Sequence, residues 1–251
     1  MIQFYAPNIE TSLKLPESDS KHCIRVLRMG EGDVIDVIDG HGNRYQCRIV
    51  SGNPKATAVE IISKVTLQLP WSQNLTVAVA PTKHLDRMEW LVEKLTEIGV
   101  NRIIPMLCTH SERKEIKTER LEKIAISAMK QSLKTVLPEI WPMTPIKKVV
   151  SEINVSQKFI AYCGDDNMQK RNLLAKEYEY PNDAIILIGP EGDFSPQEVS
   201  YCLESGYTPV TLGNNRLRTE TAALVACDTF HIISQINQKK YINQYSNLFN
   251  F

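Results

Sequence analysis

The chain has 251 residues, 43% of them hydrophobic, with 29 basic and 29 acidic residues and a formal net charge of zero. That length and hydrophobicity support a buried core in one large or two smaller domains and exclude a disordered chain, while the zero net charge excludes a global field for attracting a polyanion, so that a nucleic-acid partner has to use local patches. No apolar run reaches the roughly 18 residues of a membrane span, and Met1 to Lys14 lacks the charged-then-apolar layout of a secretory leader, so no membrane association and a cytoplasmic location are expected.

From Phe4 to about Leu69 the pattern predicts short strands and tight turns. Val34 to Ile38 and Ala58 to Ile62 are apolar runs of strand length. Between them Tyr45, Cys47 and Ile49 alternate with Arg44, Gln46 and Arg48, placing apolar groups on one face and cations on the other. Asp39-Gly40 and Gly42-Asn43 are turn pairs, and Pro70 is expected to end a small β-barrel or compact sheet domain covering residues 1–70. Lys21, His22, Arg25 and Arg28 form one local basic patch, and Arg113, Lys114, Lys117, Arg120 and Lys123 a second. Lys147-Lys148 and Lys239-Lys240 read as solvated helix faces.

After Trp71 strands and longer helices alternate. Leu75 to Ala80 predicts a strand. Met88, Leu91, Val92, Leu95 and Ile98 recur at helical spacing, with Gly99 placed to stop the helix. Ile103 to Leu107 returns as strand, and Leu121, Ile124, Ala128 and Leu133 mark a second amphipathic helix. Thr135 to Lys158 is the least regular stretch. Strands at Phe159 to Tyr162, Ala184 to Ile188 and Thr208 to Leu212 complete a βαβ series that implies a parallel sheet covered by helices over residues 71–251. Ser195, Pro196 and Glu198 spell a capped helix start with a capping box, Gly206 ends that helix, and Thr219 or Thr221 begins a last one running to about Ile236.

The six cysteines lack any Cys-x-x-Cys spacing and the five histidines lack metal-ligand spacing, so buried reduced thiols and no metal site are expected. No Gly-x-x-x-x-Gly-Lys-Ser/Thr loop is present, and the first α/β strand leads into Ala80-Pro81-Thr82-Lys83 without a dinucleotide fingerprint. Two other loops stand out. Ile188-Gly189-Pro190-Glu191-Gly192 follows a buried strand and enters the capped helix; Leu212-Gly213 through Arg216, Leu217, Arg218, Thr219, Glu220 and Thr221 is again a strand, a turn and a helix start. Ligands of open α/β sheets bind at the carboxyl ends of strands, where both loops fall. Gly189 and Gly192 are expected to admit ligand close to the backbone, and Arg216 and Arg218 to hold phosphate or carboxylate. Glu220 reads as a dipole partner at a helix start or as the partner of an arginine.

At these residues the sequence resembles the RsmE family, the ribosomal RNA small-subunit methyltransferases that modify N3 of a uridine in 16S rRNA. The Gly-Pro-Glu-Gly-Asp-Phe-Ser stretch from Gly189 and the Leu-Arg-Thr-Glu-Thr-Ala-Ala stretch from Leu217 are similar to its two signature segments. His22 to Arg28, Lys83 to Gly99 with its Met-Glu-Trp core, Ser111-Glu112-Arg113 and Gln131-Ser132 before Pro138 extend the match over both predicted domains. The resemblance implies a PUA-like barrel followed by a SPOUT-class α/β domain whose carboxy-terminal chain threads a trefoil knot, a homodimer, and S-adenosylmethionine as cofactor. It also implies that Ile188, Gly189, Pro190, Glu191, Gly192, Leu212, Gly213, Arg216, Leu217, Thr219 and Thr221 bind that cofactor and that Arg218 or Arg113 activates the uracil. Arg25, Arg28, Arg44, Arg48, Lys83 and Lys134 would hold RNA. Lys134 stands where relatives often carry arginine and Lys114 where serine is more usual; both substitutions bear on RNA contacts rather than on the reaction. Two alternatives stay open at this level: a non-catalytic RNA-binding assembly factor, and a SPOUT methyltransferase for another RNA.

Overall fold

A computed structural model describes residues 2–67, 69, 71–164 and 171–248, with side chains as far as Gln238. Pro70 and the side chains of Lys239 and Lys240 lie outside the described residues. The chain forms two compact units, Met1–Pro70 with Lys123–Leu137 and Trp71–Glu122 with Pro138–Phe251.

In the first unit, strand β1 (Gln3–Tyr5) is followed by helices α1 (Ile9–Ser12) and α2 (Glu17–Lys21), and then by strands β2 (Val34–Ile38), β3 (Asn43–Ser51) and β4 (Ala58–Thr66). The sheet order is β1-β2-β3-β4, parallel at the first pairing and antiparallel at the others. Tyr45, Cys47 and Ile49 are buried against Phe4, Ile35, Val37 and Val59, as their alternation predicts. The Asp39 turn is held from within: Oδ1 accepts the amides of His41 (2.8 Å) and Asn43 (3.1 Å), and Oδ2 accepts the Tyr45 hydroxyl (3.1 Å). The sequence reading misses α1, α2 and the π-helical turn His22–Val26 that continues α2. Segments of four and five residues are too short for a helical apolar period to register, and only Ile9, Asp19, Ser20 and Cys23 among them are buried.

Residues 123–137, which the sequence reading gives to the second domain, are bound into this first unit. Lys130 Nζ pairs with the buried Asp19 at 2.5 Å, Gly42 N–H donates to the Thr135 carbonyl (3.0 Å) and Leu137 N–H to the Gly40 carbonyl (2.9 Å).

The second unit begins with β5 (Leu75–Val79), α3 (Leu85–Ile98) and β6 (Arg102–Leu107), followed by α4 (Thr118–Gln131), whose later turns belong to the first unit. It continues through β7 (Glu139–Ile140), β8 (Thr144–Pro145), α5 (Ile146–Glu152), β9 (Gln157–Ala161), β10 (Asn172–Leu173), α6 (Leu174–Glu177), β11 (Ala184–Ile188), α7 (Pro196–Glu204), β12 (Thr208–Thr211) and α8 (Thr219–Leu248). The order is β10-β12-β9-β11-β5-β6-β7 with β8 beside β6, and every ladder is parallel. Central β11 is buried at all five positions, which accounts for its uninterrupted Ala-Ile-Ile-Leu-Ile.

Helix ends follow their chemistry. The Ser195 hydroxyl accepts the Glu198 amide (3.3 Å) while Glu198 Oε2 accepts the Ser195 amide (2.8 Å), completing the capping box. Gly99 ends α3 at φ +126°, and its carbonyl accepts from the buried Cys227 thiol (3.4 Å) and lies 2.6 Å from His231 Nε2 in α8. Two expectations change. Helix α4 stops at Gln131, so Leu133 is an exposed residue at φ +57° rather than part of the apolar stripe. Helix α8 runs to Leu248, because the polar Asn237-Gln238-Lys239-Lys240 interrupts the apolar spacing without breaking the helix.

Candidate active site

The parallel strands β5, β6, β9, β11 and β12 deliver their carboxyl ends to one edge, and the loops that follow enclose two adjoining cavities of about 660 and 580 Å³. The larger lies over β9 and β12, between Ala161–Gly164 and Val210–Leu217. The smaller lies over β5, β9 and β11, between Lys83-His84, Ile188–Asp193 and Arg216–Glu220. Ala161, Tyr162, Cys163, Asp193, Arg216, Leu217 and Ala222 line both, so the β9 loop is a shared wall.

Of the residues expected at the cofactor, Ile188, Gly189, Pro190, Glu191, Gly192 and Thr219 line the smaller cavity. Leu212 and Gly213 line the larger, and Arg216 and Leu217 line both. Thr221 lines neither. Thr219 is buried, and its hydroxyl is committed to the Gly189 carbonyl (3.1 Å), tying the first turn of α8 to the loop after β11. Two of the glycines have a further reason to be glycine: a Cβ on Gly189 would meet the Phe194 ring at 3.0 Å, and one on Gly192 would meet His110 Cβ at 3.1 Å, so each makes room for a protein side chain as well as lining the cavity. Gly213 is different: at φ +128° it has open space beside it.

The smaller cavity is lined with charge. Arg216 and Arg218 are exposed on its wall, and among the described residues neither has an ion-pair partner. Arg87 reaches the nearly buried Glu220 at 3.7 Å, the arginine pairing anticipated for that glutamate. Lys83 Nζ pairs with Glu112 (3.2 Å) and its amide donates to Glu191 (3.2 Å), which joins the loops after β5, β6 and β11. Arg113 lines neither of these two cavities: its Nε donates to the Thr82 carbonyl (3.2 Å) and its Nη2 to the Lys83 carbonyl (2.7 Å). It props the loop that carries Lys83. Glu198 lines neither cavity and ties the loop after β6 to the start of α7 through the Thr109 and Ser195 amides. Burial raises its pKa, but the Ser195 and Thr109 amides and hydroxyls outweigh that and hold the carboxyl below its ordinary value.

In the first unit, Arg25 lies on the π-helical turn, Arg28 follows it at φ +57°, and Arg44 and Arg48 occupy the outward positions of β3. Arg48 also pairs with Glu60 at 3.4 Å. Lys134 sits in the turn after α4, its amide donating to the Met129 carbonyl (3.0 Å).

The sequence reading overlooks the β9 wall (Ala161 to Gly164), together with Arg171, Arg87 and His110. A signal for the wall was present, since the predicted strand Phe159 to Tyr162 is followed two residues later by Gly164. The thiols also need correction: five cysteines are buried, but Cys163 is exposed on the cavity wall. Burial pushes Cys23 and Cys47 up to about 11 and Cys202 and Cys227 up to about 12. Among the described residues no group of three or more His, Cys, Asp or Glu is arranged for a metal ion, and no helix is long and apolar enough to cross a membrane.

A parallel α/β unit with its cleft outside the strand carboxyl ends is the class of protein that binds ligands at a sheet's topological edge. The RNA methyltransferase domain family matches residues 69–231, and the RNA methyltransferase PUA domain family matches residues 15–62. The chain belongs to the ribosomal RNA small subunit methyltransferase E family. It is 30% identical over 216 residues to the Aquifex aeolicus member, covering 84% of this chain and 90% of that protein. A crystal structure of a probable rRNA-methyltransferase from Porphyromonas gingivalis is 45% identical, with a TM-score of 0.90, and covers 94% of this chain and 100% of the other. The Neisseria gonorrhoeae ribosomal RNA small subunit methyltransferase E, solved with S-adenosyl methionine bound, is 27% identical at a TM-score of 0.80, covering 93% and 98%.

Proposed function

We propose that this protein transfers a methyl group from S-adenosylmethionine to N3 of a specific uridine in 16S rRNA of the small ribosomal subunit. The observation that carries this reading is the divided cleft: one cavity sets an apolar patch and open backbone at Gly213 among polar groups, and it adjoins a second lined by Lys83, Arg87, Arg216 and Arg218. The donor set suits the cofactor. Val210, Leu212, Leu217 and Ala222 offer an apolar slot for an adenine, Gly213 leaves backbone exposed beside it, and Arg216 borders both cavities where a carboxylate would need a cation. When bound, the cofactor supplies an electrophilic methyl carbon on a sulfonium centre.

The protein's task is then to orient the base, exclude water and stabilise charge. Uridine N3 carries a proton, and its lone pair becomes available as that proton leaves and the anion is stabilised. Arg218, exposed on the cavity wall, is assigned that stabilising role. Arg113 is assigned to positioning instead, because its guanidinium is already occupied by the Thr82 and Lys83 carbonyls. Thr219 acts on the loop through Gly189 rather than on the ligand. Ile188, Gly189, Pro190, Glu191, Gly192 and Leu212 supply the remaining contacts. Arg25, Arg28, Arg44, Arg48, Lys83 and Lys134 are proposed to contact RNA phosphates.

We further assign residues 1–70, which 123–137 join, to a PUA-like RNA-binding domain and the rest of 71–251 to a SPOUT methyltransferase domain with a carboxy-terminal trefoil knot, working as a cytoplasmic homodimer. Incubating the protein with the cofactor and small subunits from a strain lacking its own enzyme, followed by nucleoside analysis, tests the reading. The expected product is 3-methyluridine, and any other methylated nucleoside overturns the assignment.

A further inference from the structure

After Ala161 the chain runs through Tyr162, Cys163 and Gly164 outside any strand ladder, so its backbone groups need other partners. Two oppositely charged side chains provide them. Asp193 Oδ2 accepts the Cys163 amide at 2.8 Å while its Oδ1 accepts the Phe194 amide at 2.9 Å. The Arg171 guanidinium donates to the carbonyls of Tyr162 and Gly164 (3.1 Å to the latter) and stacks on the Tyr162 ring, 4.7 Å from its centroid. The anion takes the amide and the cation takes the carbonyls.

Asp193 is itself fixed from two loops. Its amide donates to the Pro190 carbonyl (2.9 Å), and its own carbonyl lies 3.0 Å from His110 Nδ1, in the loop after β6. It holds φ +60°, a left-handed conformation that glycine adopts without strain and asparagine tolerates. Only aspartate offers two acceptor oxygens there. Of the stretch so held, Tyr162 and Cys163 line both cavities and Gly164 the larger alone, and Asp193 lines both as well.

We propose that Asp193 and Arg171 are positioning residues that clamp Tyr162-Cys163-Gly164 and thereby fix the partition between the methyl-donor cavity and the cavity for the target base. The proposal rests on the methyl-transfer reading for the identity of the two ligands. The clamp itself stands on the contacts. Loosening the partition weakens ground-state and transition-state binding together, which raises KM and leaves kcat largely intact.

The experiment uses the full chain and three variants: Asp193→Asn, which keeps one acceptor, Asp193→Gly, which removes both and relieves the backbone, and Arg171→Met. Three readouts are taken: titration with S-adenosylmethionine by calorimetry, the melting temperature, and the rate at which a disulfide reagent labels Cys163, the exposed one of the six cysteines. The clamp predicts roughly tenfold weaker cofactor binding in Asp193→Gly and Arg171→Met, with Asp193→Asn between them and the wild type. It also predicts faster labelling of Cys163 in all three, with melting shifts below about 3 °C for the two Asp193 variants. Should Asp193→Gly fail to fold, Asp193→Asn and Arg171→Met carry the test. Unchanged labelling together with unchanged affinity overturns the clamp. If the wild type does not bind the cofactor at all, the methyl-transfer reading falls, and the labelling rates still decide whether the clamp exists.

Discussion

Replacing Gly99 by alanine strikes the second unit where helix α3, the residue opening that unit and helix α8 converge. The new Cβ would fall inside van der Waals contact of Trp71 Cη2, Cζ3 (2.6 Å) and Cζ2 (2.9 Å). The indole has little room to yield. It is 7% exposed, its Nε1 donates to Asn101 (3.3 Å), and it meets the His231 ring edge-on at 4.8 Å. Overpacking of this kind costs about 1–3 kcal/mol. The φ of +126° adds about 1–3 kcal/mol of backbone strain for any residue with a Cβ. A total of about 2–6 kcal/mol lowers the melting temperature of a chain this size by roughly 5–20 °C. Calorimetric melting of wild type, Gly99→Ala, Trp71→Ala and the double variant separates the two terms, since without the indole the alanine retains only the backbone strain. A Gly99→Ala protein melting within about 2 °C of wild type would refute the reasoning, because even the strain alone should exceed that.

Other consequences follow from single contacts. Thr219→Val leaves the Gly189 carbonyl without its buried donor and should cost about 1–3 kcal/mol by denaturant unfolding; a change below about 0.5 kcal/mol would show that the tie is slack. Because Glu198 has a folded pKa below its ordinary 4.5, its stabilisation is fully present above 4.5 and is lost as pH falls through the folded value. Glu198→Gln should therefore be less stable than wild type at pH 7 and converge on it in acid, and parallel stability curves across that range would contradict the assignment. Arg218→Ala is expected to lower kcat for small-subunit methylation by about 10²-fold with the cofactor Kd unchanged. Arg113→Ala is expected to lower the melting temperature as well, through the Thr82-Lys83 loop; the opposite pattern would exchange the two roles.

Much of this architecture was legible because its signals are local. The Ser195-Pro196-Glu198 cap, the Gly99 stop and the Ala184–Ile188 run each act within a few residues, and each appears where the sequence puts it. The short helices of the first unit were not legible, since four or five residues hold little more than one turn of periodicity. Nor was the pairing of residues 123–137 with the first unit, which depends on the Lys130–Asp19 contact across 111 positions. At the site both glycine-containing loops line a cavity, and the side chains that two of their glycines make room for could not be read from the sequence. A glycine that makes room for a ligand and one that makes room for Phe194 or His110 read identically in sequence. The bond from the Cys163 amide to Asp193 was not legible, because an aspartate in a turn is ordinary until its carboxylate is seen to reach a neighbouring loop.

The bond from Thr219 to Gly189 also bears on the order in which the site comes into being. Apart from the rim formed by Lys83, His84, Arg87 and Glu112, both cavities are walled by residues from Ala161 onward, and the last of them belong to the first turn of α8. A chain emerging from the ribosome therefore has its sheet strands through β11 well before it has a pocket, and the methyl donor has nothing to bind until the first turn of α8 has been made. Ligand capture thus reports synthesis past that turn, and a nascent chain arrested before Thr219 should show strand structure without cofactor affinity.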